Sequence, residues 1–126
     1  MDIRKMEKAA VAALEDIKGR DIIVLKVAHL SPLFERIIIA SADSTRQVKA
    51  LADNVVQKLK VLGAHVLSVE GEQTGEWVLV DLGAIVVHVM QPTIRQYYNL
   101  EELWDQPEPK RPRARAKAAE SQPAAG

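Results

Sequence analysis

Residues 77–90 form an almost continuous apolar run, interrupted by Asp81, Gly83 and His88, and this run predicts a β-hairpin with its turn at Gly83 and Ala84. The predicted register pairs Leu82 with Ile85. Because side chains alternate across a strand, one face of the hairpin carries only branched aliphatic residues, and we expect a helix to cover it. The other face is mixed and consists of Trp77, Leu79, Asp81, Val86, His88 and Met90.

Two further stretches have the periodicity of amphipathic helices. The first covers residues 3–17 and ends before Gly19, and the second begins at the capping box Ser44 to Gln47 and ends at Gly63. In that box the Ser44 hydroxyl and the Gln47 amide are expected to satisfy backbone N–H groups. Short apolar runs predict three further strands, at residues 21–27, 34–40 and 64–69. One or two short helical turns are predicted within residues 94–104.

This alternation of strands and helices predicts an α/β fold with a mixed sheet of about five strands flanked by helices. The apolar run at residues 22–25 is dense, so we expect this strand to be buried rather than half exposed. A chain of 126 residues is long enough for one domain with one core, which we assign to residues 1–104.

The composition changes after Trp104. Residues 105–126 contain four prolines and no large apolar residue, so they cannot contribute to a core and are predicted to form a disordered tail. The tail has five basic and three acidic residues, whereas residues 1–104 have twelve basic and fourteen acidic residues. We interpret the tail as a solubilising end; the alternative is a weak contact with nucleic-acid phosphates, which predicts strong salt dependence.

Overall composition excludes several classes of protein. The seventeen basic and seventeen acidic residues cancel, so bulk charge predicts neither a nucleic acid nor a membrane as the partner. Without cysteine there is no disulfide framework and no zinc ribbon. The first residues lack the apolar run of a signal peptide, and no apolar stretch is long enough to span a bilayer. We therefore expect a cytoplasmic protein.

Catalysis is the less favoured use of the mixed face. Asp81 and His88 could form a base and its orienting partner, but the predicted register makes them diagonal neighbours at best. An enzyme for nucleotidyl or phosphoryl transfer using Asp43 and Asp81 is the alternative, although the sequence lacks the Gly-Ser turn and Asp-x-Asp of a two-metal site. The histidines have no metal-ligand spacing. We predict no catalytic residue, no metal and no cofactor.

Contact with another protein is the favoured use. Four of the five aromatic residues lie between residues 77 and 104, near His88 and Arg95 in the sequence, and Tyr98 and Trp104 are those we would first assign to the core. Tryptophan, tyrosine and arginine on one surface are typical of a protein-binding hot spot. The predicted partner-binding residues are Trp77, Asp81, His88, Met90, Arg95, Tyr97 and Tyr98.

Several segments between residues 3 and 104 resemble, in order and spacing, the Iojap-like family of bacterial ribosomal silencing factors. They are Ile39-Ala40-Ser41, Ser44-Thr45-Arg46-Gln47-Val48, Ala52-Asp53, Val69-Glu70-Gly71, Trp77 to Gly83, Ile85 to Met90 and Tyr97 to Trp104.

This resemblance implies a small α/β domain related in fold to nucleotidyltransferases, without their catalytic acids. It also implies a repressor that binds the large ribosomal subunit at ribosomal protein L fourteen and blocks joining of the small subunit when nutrients are short. The contact surface of the family includes a tryptophan, an aspartate and a histidine, which correspond here to Trp77, Asp81 and His88. A free homodimer and a weak contact between the tail and ribosomal RNA remain open.

The chain departs from the family pattern at three places. Ala42 stands where a glycine is usual, Ala84 stands where an aspartate is usual, and residues 34–36 read Phe-Glu-Arg instead of Asp-Tyr-Phe. The change at Ala84 removes a carboxylate from the hairpin turn, so an interaction there is expected to be weaker or rearranged.

Overall fold

The computed structural model describes residues 2–104 of the 126-residue chain. The helices of this part are α1 (Ile3–Asp16), α2 (Thr45–Val61), α3 (Pro92–Tyr98) and α4 (Leu100–Trp104). The strands are β1 (Arg20–Lys26), β2 (Arg36–Ser41), β3 (Ser68–Glu70), β4 (Trp77–Asp81) and β5 (Ile85–Met90). The predicted tail, residues 105–126, lies outside the described residues, so its disorder stays a prediction.

One mixed sheet with the strand order β1-β2-β5-β4-β3 forms the centre of the fold. Strands β2 and β5 are parallel, and the other three pairings are antiparallel. Parallel neighbours need a crossover, because the chain must return to the same end of the sheet. Here α2, β3 and β4 lie between β2 and β5 in the sequence. The predicted α/β class with a mixed five-stranded sheet is confirmed.

Helices α1 and α2 cover one face of the sheet. Helix α2 starts at the predicted capping box: the Ser44 Oγ accepts a hydrogen bond from the Gln47 backbone N–H at 3.1 Å. The Gln47 side chain, however, accepts from the Asp43 backbone N–H at 3.3 Å, one residue before the predicted position. The two helices are joined where the Asn54 Nδ2 donates to the Ala13 carbonyl oxygen at 2.7 Å.

The main core lies between these helices and the aliphatic face of the β4–β5 hairpin. All six aliphatic residues predicted to face a helix are buried in it, which confirms that expectation: Val78, Val80, Leu82, Ile85, Val87 and Val89. Leu14 of α1 and Leu51, Val55 and Leu59 of α2 pack in the same cluster and are fully buried. Burial of each such side chain contributes on the order of 2 kcal/mol, so this layer fixes the orientation of the hairpin.

We call the other side of the sheet the open face; it is the side that carries Ile37, Ile39, Trp77, His88 and Met90. A smaller buried cluster lies here, formed by Val27, Ile37, Ile39 and Met90. Residues of the short helices α3 and α4 pack only against part of it, namely Ile94, Leu100 and Trp104. The rest of this face is left for solvent or for a partner.

Strand β1 differs from its prediction. Residues 22–25 are half-buried, although their apolar density predicted otherwise. The reason is the strand order: β1 is an edge strand that pairs only with β2, and its register is irregular between Arg20 and Ile23. Strand β3 is also shorter than predicted, because only Ser68 to Glu70 pair with β4.

Candidate functional site

The β4–β5 hairpin has the predicted register, and this register places the candidate residues. Asp81 pairs with Val86, Leu79 pairs with His88, and Trp77 pairs with Met90. The Leu82 backbone N–H donates to the Ile85 carbonyl oxygen at 2.9 Å, which closes the two-residue turn. Asp81 and His88 are therefore diagonal neighbours on the open face, as predicted, and no hydrogen bond found among the described residues joins them.

Trp77 and His88 form a direct hydrogen bond. The Trp77 Nε1 donates to the His88 Nδ1 at 2.9 Å, and the ring centroids are 5.9 Å apart. His88 is only 8% exposed, and burial lowers the pKa of its imidazole from 6.5 to about 4 because the charged form loses its hydration. The ring is therefore neutral at physiological pH. Since Nδ1 accepts, the proton is carried by Nε2, which is the donor that this ring can offer to a partner.

A row of aromatic rings continues outward from this pair. The ring of Tyr98 lies 5.0 Å from that of Trp77, and the ring of Tyr97 lies 5.0 Å from that of Tyr98 in an edge-to-face arrangement. Tyr97 is 80% exposed and Tyr98 is 54% exposed. The assignment of Tyr98 to the core is therefore wrong: α3 packs through Ile94 and Arg95, and both tyrosines at its end face outward.

Beside this row the open face forms a cleft of about 490 Å³. Phe34 and Trp104 meet edge to face at one side, with ring centroids 5.6 Å apart. Trp104 is partly buried against the smaller cluster, in line with its predicted packing role. The full lining consists of Leu33, Phe34, Ile37, Leu67, Glu70, Leu79, Asp81, Gly83, Val86, His88 and Trp104.

Asp81 has a structural task as well as a place in the cleft. Its Oδ1 accepts a hydrogen bond from the Gly83 backbone N–H at 2.8 Å, which holds the hairpin turn. Gly83 has a φ of +89°, a conformation that glycine adopts without strain. One carboxylate oxygen of Asp81 is thus used inside the protein, and Oδ2 is the oxygen left for a partner.

Met90 and Arg95 lie beneath the surface. Met90 is fully buried in the smaller cluster. The Arg95 Nη1 donates to the Ser41 Oγ at 2.8 Å, and its Nε donates to the Glu101 Oε2 at 3.1 Å. The guanidinium therefore ties α3 and α4 to the end of β2. Of the seven predicted site residues, Tyr97 and Tyr98 are exposed, Trp77 and Asp81 are half-buried, and His88, Met90 and Arg95 are buried beneath the open face. Ring contacts join His88, Trp77, Tyr98 and Tyr97 into one row, and Asp81 lies with His88 in the lining of the cleft.

Sequence reasoning missed part of the cleft. Glu70 follows the predicted strand 64–69 and is not among the predicted site residues, yet it reaches the cleft because β3 pairs with β4 on the side away from β5. Leu33 and Leu67 lie outside the strands and were not singled out, although Leu33 is 79% exposed and Leu67 is 56% exposed. Exposed large aliphatic side chains mark a contact surface, so the exposure of Leu33 and Leu67 would have identified them. That exposure is visible in the structure and cannot be derived from the sequence.

The two acids of the enzymatic alternative lie far apart. Asp81 is level with Ile37 across β5, whereas Asp43 lies six residues further along the chain, beyond the other end of β2. At about 3.3 Å per strand residue the separation is roughly 20 Å, too far for a shared metal pair. Asp43 instead forms an ion pair with Arg20. Residues 2–104 contain no group of three or more metal-ligating side chains, and no helix among them is long and apolar enough to cross a membrane.

Comparison with known proteins identifies the family. A family model described as "Ribosomal silencing factor during starvation" matches residues 1–125. The chain is 55% identical over 104 residues to the ribosomal silencing factor RsfS of Chromobacterium violaceum, covering 82% of this chain and 85% of the relative. It is 33% identical over 97 residues to the mouse protein named "Mitochondrial assembly of ribosomal large subunit protein 1", covering 75% of this chain and 42% of that protein.

Solved structures agree with this result. A crystal structure of a Chromobacterium violaceum protein superimposes with a TM-score of 0.82 at 50% identity, covering 95% of this chain and 98% of the other. The match supports the strand order and the two-helix layer described above, and the predicted resemblance to the Iojap-like proteins is confirmed. This chain belongs to the family of ribosomal silencing factors.

Proposed function

We propose that this protein binds the large ribosomal subunit at ribosomal protein L fourteen and sterically prevents the small subunit from joining. Translation would fall as a result when nutrients are scarce. Residues 1–104 would form the silencing domain, acting in the cytoplasm by occupying a surface, without turnover. Membership of the silencing-factor family supports the regulatory role, and the name of the mouse relative supports an association with the large subunit.

The observation that carries this proposal is the exposed aromatic row beside the cleft. Tyr97 and Tyr98 expose most or half of their surface, and Leu33, which lines the cleft on the same face, is 79% exposed. Exposed apolar and aromatic groups of this size, gathered on one face, are typical of a protein-binding surface. An enzyme pocket would instead gather convergent polar groups around a reacting atom.

Charge favours a basic partner. The cleft lining contains Glu70 and Asp81 and no lysine or arginine. Ribosomal proteins are rich in lysine and arginine, so a basic side chain of the partner can pair with the Asp81 Oδ2. Such a pair mainly accelerates encounter and fixes register, while the buried aromatic area supplies most of the affinity.

The predicted site residues then divide by role. Tyr97 and Tyr98 would be buried by the partner, and truncation of a central one costs about 2 kcal/mol of binding free energy. Trp77 orients His88, whose Nε2–H can donate to a partner carbonyl oxygen. Met90 and Arg95 would support the surface from beneath.

A second copy of the chain is a competing occupant of the same apolar face. A homodimer through the open face would hide the tyrosines and reduce ribosome binding at high protein concentration. Binding measured at several protein concentrations, together with the oligomeric state by analytical ultracentrifugation, tests this. Unchanged subunit binding under conditions in which the protein is dimeric would argue against a shared surface.

Sedimentation through sucrose gradients with purified ribosomal subunits tests the main proposal. We compare wild type with Tyr97→Ala, Tyr98→Ala and Trp77→Ala, and use Val61→Ala as the matched control. Val61 is 83% exposed and lies at the end of α2, in the layer on the other side of the sheet. The wild type and the control should sediment with the large subunit and lower the yield of joined ribosomes.

Each tyrosine variant should bind the large subunit at least about tenfold more weakly and should no longer lower the yield of joined ribosomes. A full loss of about 2 kcal/mol would raise the dissociation constant roughly thirtyfold. Circular dichroism verifies that each variant is folded, which matters most for the half-buried Trp77. Binding of folded tyrosine variants at wild-type strength would remove the aromatic row from the site. Sedimentation with the small subunit alone would refute the proposed mechanism.

A further inference from the structure

Helices α1 and α2 carry a group of exposed basic side chains on the side of the sheet opposite the open face. We call it the basic patch, and it consists of Arg4, Lys5, Lys8 and Lys58. The first three lie in the first two turns of α1, and the fourth lies in the last turn of α2. Within residues 2–104 none of these four side chains forms a hydrogen bond or an ion pair. Their charges are therefore available to a partner.

The packing of α1 against α2 brings the four charges together. Near the start of α2 the Gln47 Nε2 donates to the carbonyl oxygen of Ile17 at 3.3 Å, and further along α2 the Asn54 Nδ2 donates to that of Ala13. The two helices are therefore antiparallel. Lys58 lies one turn beyond Asn54 on the same side of α2, which places it beside the first half of α1. Because packed helix axes lie about 8–10 Å apart, the patch spans roughly 15 Å.

The three cations on α1 oppose the rules of helix stability. The N-terminal end of a helix carries a partial positive charge, so its first turn favours carboxylates and disfavours cations. Arg4 and Lys5 lie in this turn, which contains no acidic residue. Arg4 and Lys8 are also four residues apart, a spacing at which like charges repel each other. Cations at positions where they reduce the stability of the helix indicate a use outside the fold.

The carboxylates next to the patch do not neutralise it. Asp2 caps α1, and its Oδ1 accepts a hydrogen bond from the Arg4 backbone N–H at 3.2 Å. Glu7 forms an ion pair with Arg36 of β2 at 2.9 Å. The other acidic residues of α1 lie in its last turn. The patch therefore keeps a net positive charge.

The composition of the patch favours a phosphate backbone over a protein or a membrane. Lysine is depleted in protein interfaces, which use aromatic anchors, and α1 contains no aromatic residue. A helix that binds a membrane surface inserts its apolar side into the lipid. The apolar side of α1 is buried in the main core, so it is not available for this; it consists of Met6, Ala10, Ala13 and Leu14.

The basic patch lies at the same end of the sheet as the cleft. The ion pair of Glu7 holds the first half of α1 at the start of β2, where Arg36 is the first residue. The Arg36 backbone N–H donates to the carbonyl oxygen of Ala84 in the hairpin turn at 3.1 Å. Gly83 of the same turn lines the cleft. A large partner seated on the cleft would therefore extend past the edge at which the patch lies.

We propose that the basic patch binds the phosphate backbone of RNA, as a second contact that acts together with the open face. The acidic cleft suits a basic protein and the patch suits a polyanion, so one molecule can hold both components of a ribosomal subunit. The assignment to ribosomal RNA rests on the proposed function, whereas the affinity for phosphates does not. Two weak contacts on one assembly reinforce each other, because the first holds the second at a high effective concentration.

Fluorescence anisotropy of the full chain with a labelled RNA duplex of about 16 base pairs tests the phosphate contact. Each neutralised phosphate contributes about 0.9 to the slope of log affinity against log salt concentration, so four contacts predict a slope of about −3.6. The affinity should then fall about 150-fold between about 50 mM and about 200 mM salt. A DNA duplex of the same length should bind similarly, because phosphate contacts do not depend on the sequence of the bases.

Substitution of two patch residues should change this slope. Lys5→Gln/Lys8→Gln should reduce its magnitude by about two, so that the affinity falls only about tenfold over the same range of salt. Arg46→Gln/Lys49→Gln is the matched control, because it removes the same charge from two exposed residues at the start of α2 and should keep the wild-type slope. In thermal melts the patch variant should be at least as stable as wild type, since the removed cations oppose the helix.

Binding to purified large subunits identifies the source of the phosphates. Lys5→Gln/Lys8→Gln should bind the subunit more weakly, with a salt slope about two smaller in magnitude than that of wild type. Tyr97→Ala should also bind more weakly, but its salt slope should equal that of wild type, because the tyrosine carries no charge.

The outcomes with the RNA duplex decide whether the patch binds phosphates. A slope that Lys5→Gln/Lys8→Gln leaves unchanged, or that the control variant reduces equally, overturns the proposal. Loss of binding in Lys110→Gln/Arg111→Gln alone would assign the contact to the tail and overturn it as well. Vesicles of phosphatidylglycerol and phosphatidylcholine test the membrane, and binding to them through the patch without binding to RNA would refute the choice of partner.

The outcomes with the subunit separate this proposal from the proposed function. If the patch binds the RNA duplex but no form of the protein binds the subunit, the phosphate contact stands and the proposed function fails. If wild type and the patch variant bind the subunit with the same salt slope, the proposed function stands and ribosomal RNA is not the source of the phosphates.

Discussion

Acidification should destabilise this protein through one identifiable group, the imidazole of His88. In the folded chain its pKa is about 4, because burial removes the hydration that the charged ring requires. The hydrogen bond from the Trp77 Nε1 acts in the same direction, since a protonated Nδ1 cannot accept it. In the unfolded chain the imidazole returns to its ordinary pKa of 6.5. The unfolded state therefore binds a proton that the folded state does not bind.

The sign and size of the effect follow from this difference. The contribution of neutral His88 to the free energy of unfolding is fully present above the unfolded pKa of 6.5, and it is lost as the pH falls towards the folded pKa of about 4. By about pH 5 the loss amounts to about 2 kcal/mol, and near pH 4 it approaches about 3 kcal/mol. For a single small domain this is a large part of the total free energy of unfolding.

Urea unfolding at about pH 7.5 and about pH 5, followed by tryptophan fluorescence, measures the loss. His88→Asn is the matched control, because its side-chain oxygen can still accept from the Trp77 Nε1 but does not titrate in this range. The difference between the two proteins isolates His88 from the carboxylates and the other histidines. Equal losses of stability in wild type and His88→Asn would refute the reasoning, and a gain in wild-type stability at the lower pH would reverse its sign.

Three substitutions test the supports of the site and of the fold. Arg95→Met removes the guanidinium that neutralises Glu101, and urea unfolding should show a loss of about 2–3 kcal/mol. Gly71→Ala places a Cβ against the backbone carbonyl of Trp77 at a φ of +89°, so calorimetry should show a lower melting temperature and a cost of at least about 2 kcal/mol. Ser44→Ala removes the cap of α2 and should cost about 1 kcal/mol in thermal melts followed by circular dichroism, whereas Ser44→Asp should retain stability.

The hairpin could be predicted from the sequence because two local rules determine it. Side chains alternate strictly along each strand, and a two-residue turn leaves one register, so the pairing of Leu79 with His88 followed directly. The burial of β1 could not be predicted in this way. Its apolar density is the same in the middle of a sheet as at an edge, and only the strand order, a long-range property, makes it half-buried.

The sequence pattern could predict which segments form the candidate site, but it could not predict which of their side chains are exposed. The mixed face of the hairpin and the final aromatic segment do come together, as the pattern indicated. Whether a side chain lies at the surface or beneath it depends on how α3 turns, and Tyr98 and Arg95 illustrate this: both occur in the same short helix, yet one is exposed and the other is buried. The contribution of Glu70 required the pairing of β3 with β4, which no local pattern specifies.

The structure separates residues that hold the surface from residues that can meet a partner, and the two groups respond differently to substitution. Arg95 donates hydrogen bonds to Ser41 and Glu101, so its substitution should change stability and binding together. Tyr97 is 80% exposed and its ring meets that of Tyr98, so its loss should change binding with little change in stability. Asp81 belongs to both groups, because one oxygen holds the turn and the other remains available. Asp81→Asn keeps an acceptor for the Gly83 N–H and removes the charge, so stability should be nearly unchanged while the rate of association with a basic partner falls.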